Sequence, residues 1–311
     1  MAQGSGGRDP RGVLCELRLD YRPPLWPDSL FGHLVATAVP GVEEWRDGAF
    51  RRTLRLPSGP GIVALTPHED PYADHVTCRL RLADEADLRV AVAACRRLLD
   101  LDADSDVIGA ALAADPVLAP LVAAAPGRRI PGTVDPAEMA VRVVLGQQVS
   151  VAAAGTLGAR LAAAAGEPVE DPDGGLTRLF PTPAAIATVD PAVLAMPASR
   201  RNTVLTLARA LADGEVVLDA GGDRAAALDA LAGLPGIGPW TRAVVAMRGL
   251  GDRDAFAPTD LGVRVAARAA GLPATPAALV ARAERWRPWR AYAVQYLWGA
   301  GDHSINRLPA S

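Results

Sequence analysis

The chain has 311 residues, of which half are hydrophobic and 22% are charged, and its formal net charge is −3. This length suits two or three compact domains, and the composition is that of an alanine-rich globular protein. The longest uncharged stretch, residues 143–159, contains Gln147 and Gln148, so we interpret it as a buried helix and not as a membrane span. Residues 1–12 lack the apolar run of a signal peptide, and we expect a cytoplasmic protein.

Short stretches of alternating apolar and polar residues characterise the first part of the chain. The four clearest cover residues 14–19, 51–56, 61–65 and 75–82. Such alternation predicts strands of an antiparallel sheet with one solvated face. Helices are predicted at residues 29–39 and 85–99. We therefore expect an α+β domain over residues 13–111, preceded by a disordered tail at residues 1–12.

The second part of the chain, from residue 104, has the periodic apolar pattern of helices. Five predicted helices begin at a proline preceded by Asp or Thr, a pair typical of a helix start, with the Asp or Thr at positions 115, 135, 182, 190 and 275. The later predicted helices cover residues 225–232, 241–248, 261–270 and 289–298. We therefore expect a mostly α-helical second part.

The passage over residues 234–241 reads Leu-Pro-Gly-Ile-Gly-Pro-Trp-Thr and lies between two predicted helices. Gly236 and Gly238 favour a hairpin tight enough to present backbone N–H groups, and a helix N-terminus, to a phosphate. Asp260 begins the next predicted helix, twenty residues after Trp240. Its carboxylate is then in a position to face the sugar of the nucleic-acid strand whose phosphate the hairpin binds.

Five blocks of sequence in this order resemble the helix-hairpin-helix DNA glycosylase superfamily and, within it, the bacterial 3-methyladenine DNA glycosylase II (AlkA) family. The blocks are Pro23–Trp26, Leu145–Val151, Phe180–Pro183, Leu234–Thr241 with Ala257–Asp260, and Ala283–Arg290. The resemblance covers about residues 13 to 300. It implies that the α+β domain precedes a helical HhH-GPD glycosylase core.

The resemblance also implies how the core is divided. One helical domain, residues 136–252, holds the hairpin. The other is discontinuous, is built from residues 112–135 and 253–300, and carries Asp260. Residues 301–311 are expected to form a tail.

The resemblance also implies which residues bind DNA. The residues expected to contact DNA are Gln147, Gln148, Pro235, Gly236, Ile237, Gly238 and Thr241. Gln148 stands where the family has an apolar wedge that fills the gap left by a flipped base. The backbone carbonyls of Ala232, Leu234 and Ile237 are expected to hold a monovalent cation, Na⁺ or K⁺, that bridges to the phosphate. No other cofactor is expected.

Asp260 is the predicted catalytic carboxylate, since an anion near the deoxyribose stabilises an oxocarbenium-like transition state. The alternative is a helix N-cap, a role that Thr259 is also able to serve. All 32 basic residues are arginine. Glycosylases that also nick the strand use an amine, in this superfamily a lysine after the hairpin, where this chain has Thr241 and Arg242. We therefore expect a glycosylase without lyase activity.

Four residues are assigned by the resemblance to the pocket for the flipped base: Trp240, Trp289, Val244 and His33. The two indoles favour a cationic alkylated purine. Val244 and His33 replace aromatic residues of the family, which leaves the range of lesions open, and His33 is equally interpretable as a structural histidine. Trp286 and Trp298 are interpreted as core residues.

Charge and cysteines add two constraints. Residues 231–311 carry ten arginines against five carboxylates, as expected for the part that faces phosphates. Arg282, Arg285, Arg287 and Arg290 belong either to that face or to a solvated helix. The three cysteines, Cys15, Cys78 and Cys95, are interpreted as core thiols, and their number excludes the four-cysteine iron–sulfur loop of some relatives.

The leading hypothesis is a monofunctional DNA-3-methyladenine glycosylase that flips alkylated purines out of duplex DNA and hydrolyses their glycosidic bond, which initiates base excision repair. One alternative is a non-catalytic helix-hairpin-helix protein that senses damaged DNA. Another is a related glycosylase for deaminated or oxidised bases. The expected partner is double-stranded DNA near the nucleoid, with no membrane and no obligate protein partner.

Overall fold

The computed structural model describes residues 8–9, 12–301 and 303–309. An antiparallel sheet with the strand order β1-β2-β6-β5-β4-β3 forms the first part. Its strands are β1 (Arg8–Asp9), β2 (Gly12–Asp20), β3 (Glu43–Arg46), β4 (Ala49–Leu56), β5 (Gly59–Thr66) and β6 (His75–Leu82). The four strands predicted from alternation are confirmed as β2, β4, β5 and β6. The short strands β1 and β3 were not predicted.

One face of the sheet packs against two helices, α1 (Pro27–Ala36) and α2 (Leu88–Leu98), and forms the first hydrophobic core. The expectation of one solvated face is wrong for β4, whose residues are buried on both sides except Arg55. The reason is a loop after α6 that covers it. Arg51 of β4 forms an ion pair with Asp171 of that loop, and Thr53 Oγ1 donates to the Arg178 carbonyl at 2.9 Å.

The two predicted tails stay predictions. Within the first, Arg8–Asp9 pairs with Gly12 and Val13, while residues 1–7, 10 and 11 lie outside the described part. At the other end, Leu308 packs on the first core. The Arg307 carbonyl lies so close to α1 that a Cβ atom on Gly32 would be 2.5 Å from it.

The helices of the second part follow in chain order. They are α3 (Ser105–Ala113), α4 (Ala119–Ala124), α5 (Pro136–Leu145), α6 (Val151–Ala165), α7 (Pro183–Ala187), α8 (Ala198–Ala212), α9 (Arg224–Ala232), α10 (Pro239–Val244), α11 (Leu261–Ala269), α12 (Pro276–Ala283) and α13 (Arg290–Trp298). A π-helical turn, Val245–Gly249, continues α10. Asp135, Thr182 and Thr275 cap their helices as predicted. Asp115 is not a helix N-cap, because α4 begins only at Ala119, after Leu118. Its carboxylate accepts from the Val117 amide at 2.9 Å and from Trp286 Nε1 at 2.8 Å.

Two further hydrophobic cores lie among these helices. One is built mainly from α5 to α8 with the hairpin residue Ile237. The other joins α3 and α4 to the π-helical turn and to α11, α12 and α13. Ile108, which the sequence interpretation assigned to the α+β domain, packs in this last core. The remaining domain limits stay predictions.

A buried ion-pair network fastens the sheet to α5. Arg52 donates to Glu43 at 2.8 Å and to Glu138 at 2.9 Å, and Arg142 donates to the same two carboxylates at 2.9 and 2.8 Å. Two guanidinium groups thus balance two carboxylates.

Among the described residues, none of the helices has the length and apolar character needed to cross a membrane. Cys78 and Cys95 are buried and unbridged, as predicted, whereas Cys15 is partly exposed.

Candidate active site

The hairpin between α9 and α10 is closed by a hydrogen bond from the Ile237 amide to the Leu234 carbonyl, at 3.2 Å. Gly236 has a φ of +83°, and a Cβ atom there would lie 2.1 Å from Thr203 Oγ1, so the turn requires glycine. Gly238 precedes α10 with a φ of −85°, and a Cβ atom there would meet nothing within 4 Å. The fold therefore needs Gly236, whereas the space beside Gly238 is open to a ligand.

Gln147 ties this hairpin to the loop after α5. Its Nε2 donates to Thr241 Oγ1 at 2.9 Å and to the Gly236 carbonyl at 3.2 Å. Gln148 comes next and is exposed, with a φ of +56°. The loop thus projects Gln148 into solvent beside the exposed hairpin residues Pro235 and Gly236, a placement that an intercalating side chain requires.

Asp260 precedes α11, and its carboxylate receives three hydrogen bonds. Oδ1 accepts from the Val263 amide at 2.8 Å and from Trp298 Nε1 at 3.0 Å, and Oδ2 accepts from Trp240 Nε1 at 2.8 Å. Asp260, and not Thr259, is therefore the N-cap. Because the carboxylate is partly exposed as well, capping and catalysis are compatible roles for the same group.

Gly262 makes room for this arrangement. A Cβ atom on Gly262 would lie 3.1 Å from Cδ1 and Nε1 of Trp298 and 3.2 Å from Oδ1 of Asp260. The sequence interpretation did not single out Gly262.

A cavity of about 230 Å³ lies beside the two indoles that hold Asp260. Trp240, Val244 and His33 line it, so the structure brings together three of the four predicted pocket residues. Trp298 lines it as well. Trp298 packs against the third hydrophobic core, as interpreted, and in addition contributes to the cavity wall, which was not predicted.

Trp289 does not line this cavity, and its assignment to the pocket is corrected. It borders a separate cleft, where the Arg253 guanidinium lies 5.9 Å from the centre of its ring. Trp289 and Trp298 lie at opposite ends of α13, about 13 Å apart along the helix. A helical pattern does not reveal which of two tryptophans faces a cavity formed by other elements.

Two more basic residues, Arg248 and Arg142, line the cavity beside His33. Burial, with the charges of Arg248 and Arg142, lowers the pKa of His33 well below its ordinary value, so His33 is neutral. His33 Nε2 is buried and has no hydrogen-bond partner among the described residues. Arg248 Nε donates to the Pro131 carbonyl at 2.8 Å.

The sequence carries a local signal for Arg248. Trp240, Val244 and Arg248 are spaced four residues apart, which places them on one side of α10 and the π-helical turn. Since two of the three were already assigned to the pocket, the third was to be expected there.

The arginine cluster near the end of the chain is largely neutralised within the protein. Arg282 pairs with Asp115, while Arg287 and Arg290 both pair with Asp254. Of the four, Arg285 alone is exposed with no ion pair within the described residues. For the other three, these ion pairs do not favour the phosphate-face interpretation.

The predicted cation site at the hairpin remains a prediction. Of the three carbonyls assigned to it, that of Leu234 already accepts the hydrogen bond that closes the turn. The described residues contain no group of three His, Cys, Asp or Glu side chains suited to a metal ion.

Comparison with known proteins assigns this architecture to a family. The sequence matches the family described as the AlkA N-terminal domain over residues 16–135. DNA-3-methyladenine glycosylase 2 of Escherichia coli (strain K12) is 36% identical over 284 residues, which cover 90% of this chain and 95% of that protein. The chain belongs to the AlkA family.

A second AlkA relative is longer. The probable bifunctional transcriptional activator/DNA repair enzyme AlkA of Mycobacterium tuberculosis (strain ATCC 25618 / H37Rv) is 56% identical over 293 residues, or 94% of this chain. Those residues are 58% of the mycobacterial protein, so the chain spans less than two thirds of that relative's length.

Solved structures agree with the AlkA family fold. The 3-methyladenine DNA-glycosylase of Archaeoglobus fulgidus superposes with a TM-score of 0.77 at 19% identity, covering 91% of this chain and 97% of the other. The apo 8-oxoguanine glycosylase/lyase of Clostridium acetobutylicum superposes with a TM-score of 0.71 at 16% identity, covering 95% and 98%. At these identities the likeness shows the fold alone.

Proposed function

We propose that this chain is a monofunctional DNA glycosylase that releases alkylated purines from duplex DNA. The observation that carries the proposal is the Asp260 carboxylate, fixed by the N–H groups of Trp240 and Trp298 at the side of a cavity those same indoles line. The names of its relatives in the AlkA family support the choice of substrate.

The reaction breaks the bond between C1′ of the deoxyribose and a ring nitrogen of the base. The bonding electron pair leaves with the base, and positive charge develops on the sugar. Asp260 stabilises that charge and helps to orient a water molecule, whose oxygen bonds to C1′ while a proton is lost to the carboxylate or to solvent. The three hydrogen bonds hold the carboxylate in place before the charge appears.

The cavity suits the leaving base. A purine alkylated at N3 or N7 is cationic and becomes neutral when the bond breaks, so it needs little help from an acid. The indoles of Trp240 and Trp298 offer electron-rich faces to such a base. Val244 and His33 replace aromatic residues of the family, and we infer that the cavity accepts several kinds of damaged base.

Strand nicking is not part of the proposed activity. The lysine amine with which lyases of this superfamily form a Schiff base is missing, because the 311 residues include no lysine, and a guanidinium is too basic to replace it. The product is then an intact strand with an abasic site.

The hairpin is the proposed grip on double-stranded DNA. The open space at Gly238 lets a phosphate approach the backbone, and Gln147 holds the turn in that shape. A Na⁺ or K⁺ ion at the hairpin carbonyls would strengthen the same contact, and the chemistry itself needs no cofactor. Since the substrate is chromosomal DNA, we place the protein at the nucleoid in the cytoplasm.

The competing hypothesis is a protein that only binds damaged DNA. Asp260 argues against it, because a negative charge beside a polyanion weakens binding, and an uncharged Ser or Asn would cap α11 equally well. A cavity of the size observed next to that carboxylate would also have no role.

The test uses duplex DNA treated with a methylating agent. Purified protein is incubated with it, and free 3-methyladenine and 7-methylguanine are quantified by chromatography. Asp260→Asn is the matched variant, since the Asn oxygen still accepts from the Val263 amide and caps α11, while its NH2 group no longer accepts from Trp240 Nε1. A melting curve of the variant checks that it is folded. We expect release by the wild-type protein and a fall of at least about a hundredfold in the variant.

Two outcomes would overturn the proposal. If the wild-type protein binds DNA tightly and releases neither base, the binding hypothesis replaces it. If an alkali-free gel shows nicked strands, the monofunctional assignment is wrong.

A further inference from the structure

The loop between α5 and α6 carries Gln148, the residue expected to fill the gap left by a flipped base. Polar contacts of Gln147 attach this loop to two neighbouring elements. Its side chain donates to Thr241 Oγ1 and to the Gly236 carbonyl of the hairpin. Its backbone carbonyl accepts a hydrogen bond from the guanidinium of Arg200, in the first turn of α8. Arg200 therefore links the loop to a helix outside the hairpin.

The carbonyl that Arg200 holds belongs to the peptide group between Gln147 and Gln148. A peptide group is planar, so fixing its carbonyl also fixes the direction in which the next residue leaves it. Gln148 has a φ of +56°, a left-handed conformation that is unfavourable for a residue with a Cβ atom. Such a conformation persists where neighbouring contacts hold it. Arg200 supplies a contact of this kind directly before Gln148.

The guanidinium of Arg200 is not engaged by a carboxylate, because Arg200 forms no ion pair within the described part of the chain. The side chain is partly buried, and its Nε has no hydrogen-bond partner there. A hydrogen bond from a charged donor is roughly twice as strong as one from a neutral donor. The contact with the Gln147 carbonyl is therefore a strong restraint on the loop.

The same side of α8 supports the hairpin. Arg200 and Thr203 are three residues apart in α8, which places them on one side of the helix. The hairpin lies against Thr203, since a Cβ atom on Gly236 would be 2.1 Å from Thr203 Oγ1. α8 thus holds the loop through Arg200 and the hairpin through Thr203, and so keeps Gln148 in a fixed position relative to the hairpin.

We propose that Arg200 is a positioning residue for base flipping, which holds the peptide group before Gln148 so that the Gln148 side chain is ready to enter the DNA stack. The inference rests on the proposed glycosylase function and adds a residue to it.

The free-energy cost of losing Arg200 falls on one step of the reaction. Without this restraint the loop has to be ordered while the base leaves the stack, so the flipped state becomes less populated. The bond to the base then breaks as before, because Arg200 does not touch the cavity or Asp260. A base that has no partner in the opposite strand leaves the stack at a lower cost and depends less on the loop.

A direct contact between Arg200 and a DNA phosphate would have different consequences. It would strengthen binding to any duplex, damaged or not, in a salt-dependent way. It would also act independently of the side chain at position 148. These two properties separate a phosphate contact from a positioning role.

The experiment uses two duplexes of identical sequence with one 7-methylguanine, placed opposite cytosine or opposite a tetrahydrofuran abasic-site analogue. Enzyme in excess gives single-turnover rates, measured as free 7-methylguanine by chromatography. The proteins are the wild type, Arg200→Met, Arg200→Lys, Gln148→Gly and the double variant Arg200→Met/Gln148→Gly. Arg209→Met removes an exposed arginine near the other end of α8 and is the control. Affinity for undamaged duplex is measured for each protein at two salt concentrations.

Arg200→Met should lower the rate for the lesion opposite cytosine by about tenfold, the effect of one charge-assisted hydrogen bond. The rate for the lesion opposite the abasic analogue should fall by no more than about twofold. Arg200→Lys keeps a charged donor and should stay within about threefold of the wild-type rate. Arg209→Met should change neither rate.

The double variant tests whether Arg200 acts through Gln148. Because the Gln148 side chain is already absent, adding Arg200→Met to Gln148→Gly should lower the rate by no more than about twofold. Affinity for undamaged duplex should stay within about twofold of the wild-type value in Arg200→Met. A partly unfolded fraction lowers both rates equally and cancels in their ratio, and Arg200→Gln replaces Arg200→Met if that variant fails to fold.

The inference is overturned if Arg200→Met lowers the two rates by the same factor, or if its effect is equally large in the Gln148→Gly background. Weaker binding to undamaged duplex in these cases would assign Arg200 a phosphate contact. An unchanged rate for the lesion opposite cytosine also overturns it. Release from neither duplex by the wild-type protein is a different result, because it removes the proposed function itself.

Discussion

Trp298 Nε1 donates a 3.0 Å hydrogen bond to Oδ1 of Asp260, across 38 residues of sequence. With the bond from Trp240 to Oδ2, it clamps the carboxylate between two rings that also form the cavity wall. One pair of side chains thus both orients the proposed catalytic group and contacts the proposed substrate.

Trp298→Phe should lower base release by about tenfold to a hundredfold, because it removes a hydrogen bond to a charged group and keeps an aromatic ring. Single-turnover release of 7-methylguanine measures this effect. The matched control is Trp289→Phe, which lies outside the cavity and should change the rate by no more than about twofold. An equal loss in both variants would contradict the pocket described here.

Alanine substitutions at the two hairpin glycines should distinguish a loss of stability from a loss of DNA binding. Gly238→Ala should leave the melting temperature unchanged, because its Cβ meets no atom within 4 Å. It should weaken binding to duplex DNA by about tenfold if the methyl group displaces one phosphate hydrogen bond.

Gly236→Ala should instead destabilise the protein by at least about 2 kcal/mol, since it combines a positive φ with a 2.1 Å contact to Thr203. Urea unfolding and DNA titration of both variants measure the difference. If folded Gly238→Ala protein binds duplex DNA with normal affinity, the proposal that a phosphate contacts the backbone at Gly238 is wrong.

Gln148→Gly should stabilise the protein and impair its activity. Gln148 has a φ of +56°, a strained conformation that glycine adopts freely, so we expect a gain of up to about 1 kcal/mol in the free energy of unfolding. Base release should fall, because no side chain remains to fill the gap left by the flipped base. Gln148→Ala, which keeps the strain and also lacks the amide, is the control. Full activity in both variants would mean that residue 148 is not the wedge.

Acid should weaken the fold through Glu43. Burial alone raises the pKa of this carboxyl, but Arg142 and Arg52 outweigh it and hold the pKa below its ordinary value of 4.5. A carboxyl with a depressed folded-state pKa stabilises the protein above its unfolded-state pKa, and this contribution is lost as the pH falls through the folded-state value.

Urea unfolding between pH 7 and pH 3 tests this. Glu43→Gln should cost about 3–5 kcal/mol at pH 7, because it leaves buried guanidinium charge without a partner, and should flatten the acid dependence. Glu16→Gln, on β2, is the control, as Glu16 forms no ion pair among the described residues. If the free energy of unfolding of Glu43→Gln depends on pH as that of the wild-type protein does, other carboxyls cause the acid sensitivity.

Much of the fold followed from local patterns in the sequence. Alternation over residues 51–56 and 75–82 gave β4 and β6, and the Asp135–Pro136 pair gave the start of α5, because strand pairing and helix capping depend on neighbours in the chain. The hairpin and Asp260 were also found locally, since a left-handed turn and an N-cap are properties of a few consecutive residues.

What depended on tertiary structure was which side chains from distant elements share one cavity. The sequence pattern of the last helix does not distinguish Trp289 from Trp298 as the residue that faces the cavity. The packing of α13 against α11 places Trp298 next to Asp260 and Trp289 next to Arg253. That Arg248 has no ion pair within the described residues was hidden for the same reason. Whether a cation is balanced depends on every element packed around it, and no pattern along one helix contains that information.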